Sequence, residues 1–209
     1  MESLKKEFVD IRRARQQEEL SRIGEKRRRV LDGIYPPTTD RRHAEISGRR
    51  HKYTGKWFSR HLYFQAWVDK RLKSQILWGH GIPGAGRTFI ASLVSDEFES
   101  RASVENYGVA YIYFNFKEQE QQHPIQALSS LIKQLLTQVK GSKLPAEAEK
   151  LYDEFISEKK QPPFQNLQQV LSSISQSFTR IFLVFDALDE CDEEFNERSF
   201  FHSLMVLQK

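Results

Sequence analysis

The string GIPGAGRT, residues 81–88, stands between the apolar run ILWG, residues 76–79, and a segment carrying Ile90, Leu93, Val94 and Phe98 at helical spacing. Strand, glycine-rich loop, helix is a local order with few uses. Gly81, Gly84 and Gly86 allow a tight backbone turn that points N–H groups inward, with no Cβ in the way of an approaching anion. The helix that begins near Arg87 aims the positive end of its dipole at the same point. Ile82, Pro83 and Ala85 fill the loop, and Thr88 places a hydroxyl where it completes the coordination of Mg²⁺. The string departs from the phosphate-binding pattern GxxxxGK[ST] at one position, where Arg87 replaces lysine. Taken alone it also reads as a glycine-rich turn with no ligand.

The chain after residue 73 alternates strand and helix. QILWG (75–79), YGVAYIYFNF (107–116) and IFLVFD (181–186) are apolar throughout rather than alternately, as strands covered on both faces are. Between them the spacing predicts helices over 87–99 and 124–139, and amphipathic segments near 145–158 and 166–178. The expected fold is α/β, a P-loop NTPase-like parallel sheet flanked by helices, incomplete at its C-terminal end and preceded by a helical extension.

Residues 2–31 lack proline and contain one glycine, Gly24, which predicts a long polar helix; its apolar positions are too broken for a coiled coil. The prolines of IYPPTTD, 34–40, mark a linker. Residues 40–72 carry Trp57, Phe58, Leu62, Phe64, Trp67 and Val68, enough large apolar groups to predict packing on the domain C-terminal to them. The expected organisation is a basic helix (1–33), a linker with an aromatic-rich segment (34–72) and a partial nucleotide-binding domain (73–209). TGK, Thr54 to Lys56, is not a second phosphate loop, because Arg50 stands where the first glycine belongs.

The net charge of +4 conceals an imbalance: residues 1–75 hold 20 Lys+Arg against 10 Asp+Glu, and the remainder 12 against 18. Aromatic residues do not interleave with the arginines of 12–29, which argues against single-strand nucleic-acid stacking there and for a solvated face. No apolar run approaches the roughly 20 residues of a spanning helix, the N-terminus is too charged for a secretory signal, and the single Cys191 forms no internal disulfide. A reducing, cytoplasmic setting is the expectation. The six histidines show no metal-ligand spacing, so all, including His80 beside the loop, read as structural.

FLVFDALDE, residues 182–190, supplies the second half of the site. Asp186 ends an apolar strand, where ligands sit in open parallel sheets; it can serve Mg²⁺, while Asp189 and Glu190 lie in reach of an attacking water. The alternative is an acidic loop capping a strand before the run Asp192, Glu193, Glu194. GIPGAGRT with FLVFDALDEC resembles the NACHT class of signal-transduction P-loop NTPases, and most closely the nephrocystin-3-like N-terminal domain of fungal multidomain proteins. TGKWF, FQAW and ALSSLIKQLL extend the resemblance over residues 30–200. It implies that Gly81 to Thr88 wrap the phosphates of ATP or GTP, that Thr88 and Asp186 hold Mg²⁺, and that Asp189 with Glu190 polarise water. It further implies a switch whose nucleotide state controls homo-oligomerisation, with a winged helix and repeats further along a longer chain. A further strand between the phosphate-loop strand and the one ending at Asp186 is implied by the family and expected beyond Lys209. Arg87 keeps the charge but not the compact reach of lysine, so weak or absent hydrolysis is expected. The rival expectation is a non-enzymatic interaction fragment with a vestigial loop.

Overall fold

The computed structural model describes residues 2–34, 39–82, 84–115, 123–141, 143–191, 200–201 and 204. Helix α1 (Glu2–Ile34) opens the chain, as the proline-free run requires. Its second half is docked. Val30 is fully buried, and the Arg27 guanidinium donates to the carbonyl oxygens of Leu136 (2.9 Å), Val139 (3.0 Å) and Gly141 (3.3 Å). The first two belong to the end of a helix, where carbonyls lack intrahelical partners, and the third follows just beyond it. Residues 10–22 of the same helix are exposed, consistent with a charged sequence that has no continuous apolar stripe.

Helix α2 (Thr39–Arg49) begins inside the span read as a linker; residues 35–38 of that span lie outside the described residues. Buried His43 and Ile46, one turn apart, give it an inward face. Two short helices follow, α3 (Lys56–Ser59) and α4 (Leu62–Val68), then α5 (Arg87–Glu105), which runs a turn and a half beyond the expected end. Strand β1 (Tyr107–Tyr113), α6 (Pro124–Gln138), α7 (Ala146–Leu151) with a π turn over Tyr152–Ile156, α8 (Phe164–Ser175) and strand β2 (Arg180–Asp186) complete the order.

β1 and β2 are parallel, in register from Tyr107 opposite Arg180 to Tyr113 opposite Asp186. Odd and even positions divide between two faces. Val109 and Phe182 pack with Phe64, Val68, Val94 and Phe98 under α4 and α5, where Phe98 stacks on Phe182 at 3.8 Å between centroids. Ala110 and Ile112 face the other way, into the main core built by α6, α7, α8 and the end of α1. Helices thus cover both faces, and the fold is a mostly helical α/β arrangement around a small parallel sheet.

The two edges of that sheet differ. Gln138 accepts from the Val109 N–H (2.9 Å) and donates to its carbonyl (2.6 Å); Gln134 does the same for Tyr111, at 3.0 Å in each direction. Two side-chain amides one helical turn apart thereby meet two strand residues two apart, and the outer edge of β1 is closed as if by another strand. No strand among the described residues pairs with the other edge of β2.

The expected strand over 75–79 is absent. Those residues carry no regular structure, and Ile76 and Trp78 are 58% and 68% exposed. Only Leu77 turns inward, against the cluster of Phe98 and Phe182. QILWG has strand composition, but a strand exists only where a neighbour accepts its backbone hydrogen bonds, and β2 and residues 75–79 do not pair. The packing expected of residues 40–72 holds for Phe64 and Val68 and fails for Trp57 and Leu62, which are 66% and 83% exposed. Among the described residues no helix is long and apolar enough to cross a membrane.

Candidate functional site

Strand β2 delivers Asp186 to the carboxyl end of the sheet, and α5 starts beside it. Residues far apart in sequence thereby come into one electrostatic neighbourhood: the Thr88 hydroxyl and the Arg87 charge both act on the Asp186 carboxylate. Asp186 is 8% exposed. Burial pushes its pKa above the ordinary value; the Thr88 hydroxyl, the Arg87 charge and the Ala187 backbone offset this in part, while Glu190 adds to it. A desolvated carboxylate that remains short of positive charge, beside a hydroxyl, is an all-oxygen donor pair. That chemistry fits a hard divalent cation of the Mg²⁺ type.

Gly84 and Gly86 have φ of 82° and 81°, the left-handed region that only glycine enters without strain, and Gly86 caps the start of α5. The Ala85 N–H donates to the Ile82 carbonyl at 3.1 Å, closing a turn, and the Ile90 N–H bonds to Gly86 at 3.0 Å, the first α-helical bond. A Cβ built at Gly84 or Gly86 meets nothing within 4 Å, whereas one at Gly81 comes within 3.3 Å of Ala85 Cβ. The space over the helix start is therefore open, and the first-turn N–H groups point into it, as at any helix N-terminus. Gly81, Gly84, Ala85 and Arg87 are exposed and Ile82 is 78% exposed; Pro83 lies outside the described residues. The loop continues into a helix on one side, whereas the described residues before it form no strand and hold to the core through Leu77.

The two acidic residues after Asp186 are placed differently. Ala187 has φ 56°, a left-handed conformation uncommon for a residue with a Cβ, and it turns the chain into a 3-10 turn over Leu188–Glu190 closed by the Glu190 N–H on the Ala187 carbonyl at 2.9 Å. Glu190, half-buried, falls within electrostatic reach of Asp186, while Asp189 is exposed. Cys191 is half-buried against the main core.

Sequence reasoning missed the buried polar cluster behind this site. His43 of α2 is 8% exposed, its Nδ1 lies 2.7 Å from the Tyr113 hydroxyl and its Nε2 2.8 Å from Asp96 of α5, and its ring stacks on Tyr111 at 4.2 Å. Arg50 donates to Asp96 at 2.5 Å and to Ser92 at 2.8 Å, and Ser47 donates to Asp96 at 3.1 Å. Burial raises the Asp96 pKa, but the bonds from Arg50 and His43 outweigh it and leave the carboxyl below its ordinary value. Tyr113 is the register partner of Asp186, so this cluster continues directly into the site; burial pushes the Tyr113 hydroxyl well above the ordinary tyrosine range. Ligand atoms of His43, Asp96 and Glu99 lie within 4.8 Å of one another. The Arg50 guanidinium on Asp96 already supplies the cation that a metal would bring. No sequence signal marks the cluster, because its members come from α2, α5 and β1 and from Arg50 just beyond α2, and form no motif.

The family model described as Nephrocystin 3, N-terminal matches residues 53–209, well over half of the chain, and the chain belongs to that family. No curated protein and no solved structure gives a significant match. The matched span contains the loop and β2 but neither α2 nor Arg50, so the partners that neutralise Asp96 come from outside it.

Proposed function

We propose that this member of the Nephrocystin 3, N-terminal family is the nucleotide-binding module of a NACHT-type signalling switch, taking ATP or GTP with Mg²⁺ and hydrolysing it weakly or not at all. The convergence of Thr88 and Arg87 on the buried Asp186 is the observation that carries the reading, because it brings the two halves of a phosphate and metal site together from elements that share no local sequence. Residues 73–209 would form a partial P-loop NTPase domain behind a basic helix (1–33) and a linker with an aromatic-rich segment (34–72). Gly81, Ile82, Pro83, Gly84, Ala85 and Gly86 would wrap the phosphates, with open space over Gly84 and Gly86 where they would lie. Thr88 and Asp186 would hold Mg²⁺, which when bound neutralises phosphate charge. Asp189 and Glu190 would orient water; Glu190 is half-buried and within electrostatic reach of Asp186, while Asp189 is exposed. Arg87 supplies charge through a wide planar group rather than a compact ammonium; phosphoryl transfer depends on positioning, and a misplacement of about 1 Å costs roughly 100-fold.

Titration of the purified chain with a fluorescent ATP analogue tests this. Saturable binding that needs Mg²⁺ and is lost in Gly86→Val and Asp186→Ala is expected, with turnover raised by Arg87→Lys. The absence of saturable binding, or binding indifferent to Gly86→Val, removes the reading. A second reading, an interaction fragment whose loop is vestigial, draws on the missing strand at 75–79, which leaves the loop held on that side by the packing of Leu77 rather than by strand pairing. It gains if nucleotide does not bind while the exposed basic stretch of α1 captures a partner in a salt-sensitive manner.

A further inference from the structure

Residues 49–63 carry a second surface that the phosphate loop does not use. From Ile46 to Val68 the chain has no Asp or Glu, while Arg49, Arg50, Lys52, Lys56 and Arg60 are basic. Arg50 turns inward to Asp96; Arg49, His51, Lys52, Arg60 and His61 are exposed, and Lys56 lies with Nζ 5.1 Å from the centre of the Tyr53 ring. Interleaved with these charges are four large side chains directed to solvent, Tyr53 (65% exposed), Trp57 (66%), Leu62 (83%) and Tyr63 (56%). The segment also has a packed side: Gly55, Phe64 and Val68 are buried, Phe58 meets Phe64 at 5.1 Å between centroids, and a Cβ at Gly55 would come within 3.1 Å of Leu93. Its outward groups are therefore the outside of a seated element rather than core short of partners. Two acidic groups of α5, on which it rests, are engaged elsewhere, Asp96 with Arg50 and Glu97 with Arg101.

We propose that the outer face of residues 49–63 is a docking surface for an anionic lipid membrane, a property separate from nucleotide binding. The chemistry selects the occupant. Tryptophan and tyrosine settle at the boundary between headgroups and acyl chains, a fully projecting leucine enters the apolar layer, and basic side chains meet acidic headgroups. Single-stranded nucleic acid would use the aromatic rings and the charges but has no apolar layer to receive Leu62, the most exposed of the four. The surface lies flat on the membrane and spans nothing.

Co-sedimentation of the full chain with vesicles decides this, comparing phosphatidylcholine alone with phosphatidylcholine carrying phosphatidylserine. Binding to the acidic vesicles only, falling as salt rises, is expected. Lys52→Gln with Arg60→Gln should lower the partition coefficient roughly 25-fold, at a factor of about five per charge. Trp57→Ser with Leu62→Ser should lower it roughly tenfold or more. Both double variants alter solvent-facing groups, so unchanged circular dichroism and urea midpoints will show that the fold is retained. The proposal is overturned if acidic vesicles do not bind, if neutral vesicles bind equally, or if binding survives Trp57→Ser with Leu62→Ser. It is also overturned if binding is lost only on Arg12→Glu with Arg15→Glu, which would move the surface to α1, or if poly(U) binds more tightly than the vesicles and displaces them. Nucleotide titration of the same variants keeps the two properties apart, since failure of either leaves the other measurable.

Discussion

Asp96 and Asp186 are two carboxylates on one side of the same sheet, and the chain treats them oppositely. Burial disfavours the charge on each. At Asp96 the guanidinium of Arg50 and the imidazole of His43 more than compensate, and the pKa falls; at Asp186 a hydroxyl, a backbone hydrogen bond and the Arg87 charge do not, and it stays raised. The first is a joint, closed by its own countercharges, that ties α2 to α5 and β1. The second keeps a desolvated carboxyl whose charge its neighbours only partly offset. A buried acid can thus be read as structural or as ligand-binding from whether the chain itself supplies the positive charge.

The strongest way to break this comparison is Asp96→Ala, which strands Arg50 and His43, 15% and 10% exposed, around a missing partner. Because Asp96 itself is 35% exposed, the expected cost is about 3 kcal/mol, at the low end for a broken buried pair. Urea unfolding measures it, and a cost under about 1 kcal/mol would make the joint no more than a surface ion pair. Next comes Gln134→Leu, which removes the side-chain amide that pairs with the buried N–H and carbonyl of Tyr111 and is expected to cost about 2 kcal/mol. If that variant is as stable as the parent, the edge of β1 does not depend on the glutamines. The smallest effect has the opposite sign: Asp186→Asn keeps the shape, removes a desolvated charge and is expected to raise the urea midpoint slightly and, if the proposed function holds, to abolish Mg²⁺-dependent nucleotide binding. A loss of stability instead would show that Asp186 is a structural acid like Asp96.

The pH dependence separates the same pair. With its folded pKa lowered, Asp96 contributes stability that is complete above 3.8, the ordinary value, and disappears as pH falls through the lower folded value. With its folded pKa raised, Asp186 carries a cost that is complete above that raised value and vanishes as pH falls below 3.8. On acidification the two therefore act against each other. Asp186→Asn should steepen the loss of stability below neutral pH and Asp96→Asn should flatten it, both read from urea midpoints at a series of pH values; parallel curves would remove the distinction.

Most elements were legible because their signals are local. Ile90, Leu93, Val94 and Phe98 announce α5 by spacing, and IFLVFD announces β2 by composition. Asp186 could be singled out since it ends an apolar strand. Residues 75–79 misled for a physical reason: apolar β-branched and aromatic residues state a preference, whereas pairing needs a second backbone, and none pairs with them here. Trp57 and Leu62 misled in the opposite direction, because apolar content says how much could be buried and not which side chains will be. The amide pairs of Gln134 and Gln138 resemble ordinary polar positions on an amphipathic helix until β1 is beside them.

By itself the sequence determined the long first helix, α5, α6, α8 and the strands β1 and β2, the glycine positions that admit a left-handed turn, and a carboxylate at the end of β2, since each depends on chain geometry and side-chain shape within a few residues. Only the tertiary structure decided that Thr88 and Arg87 act on Asp186, that Arg50 and His43 neutralise Asp96, that one sheet edge is sealed by side chains, and that Tyr53, Trp57, Leu62 and Tyr63 face outward. Charge compensation and burial are sums over neighbours from distant parts of the chain, and those neighbours exist only once the chain has folded.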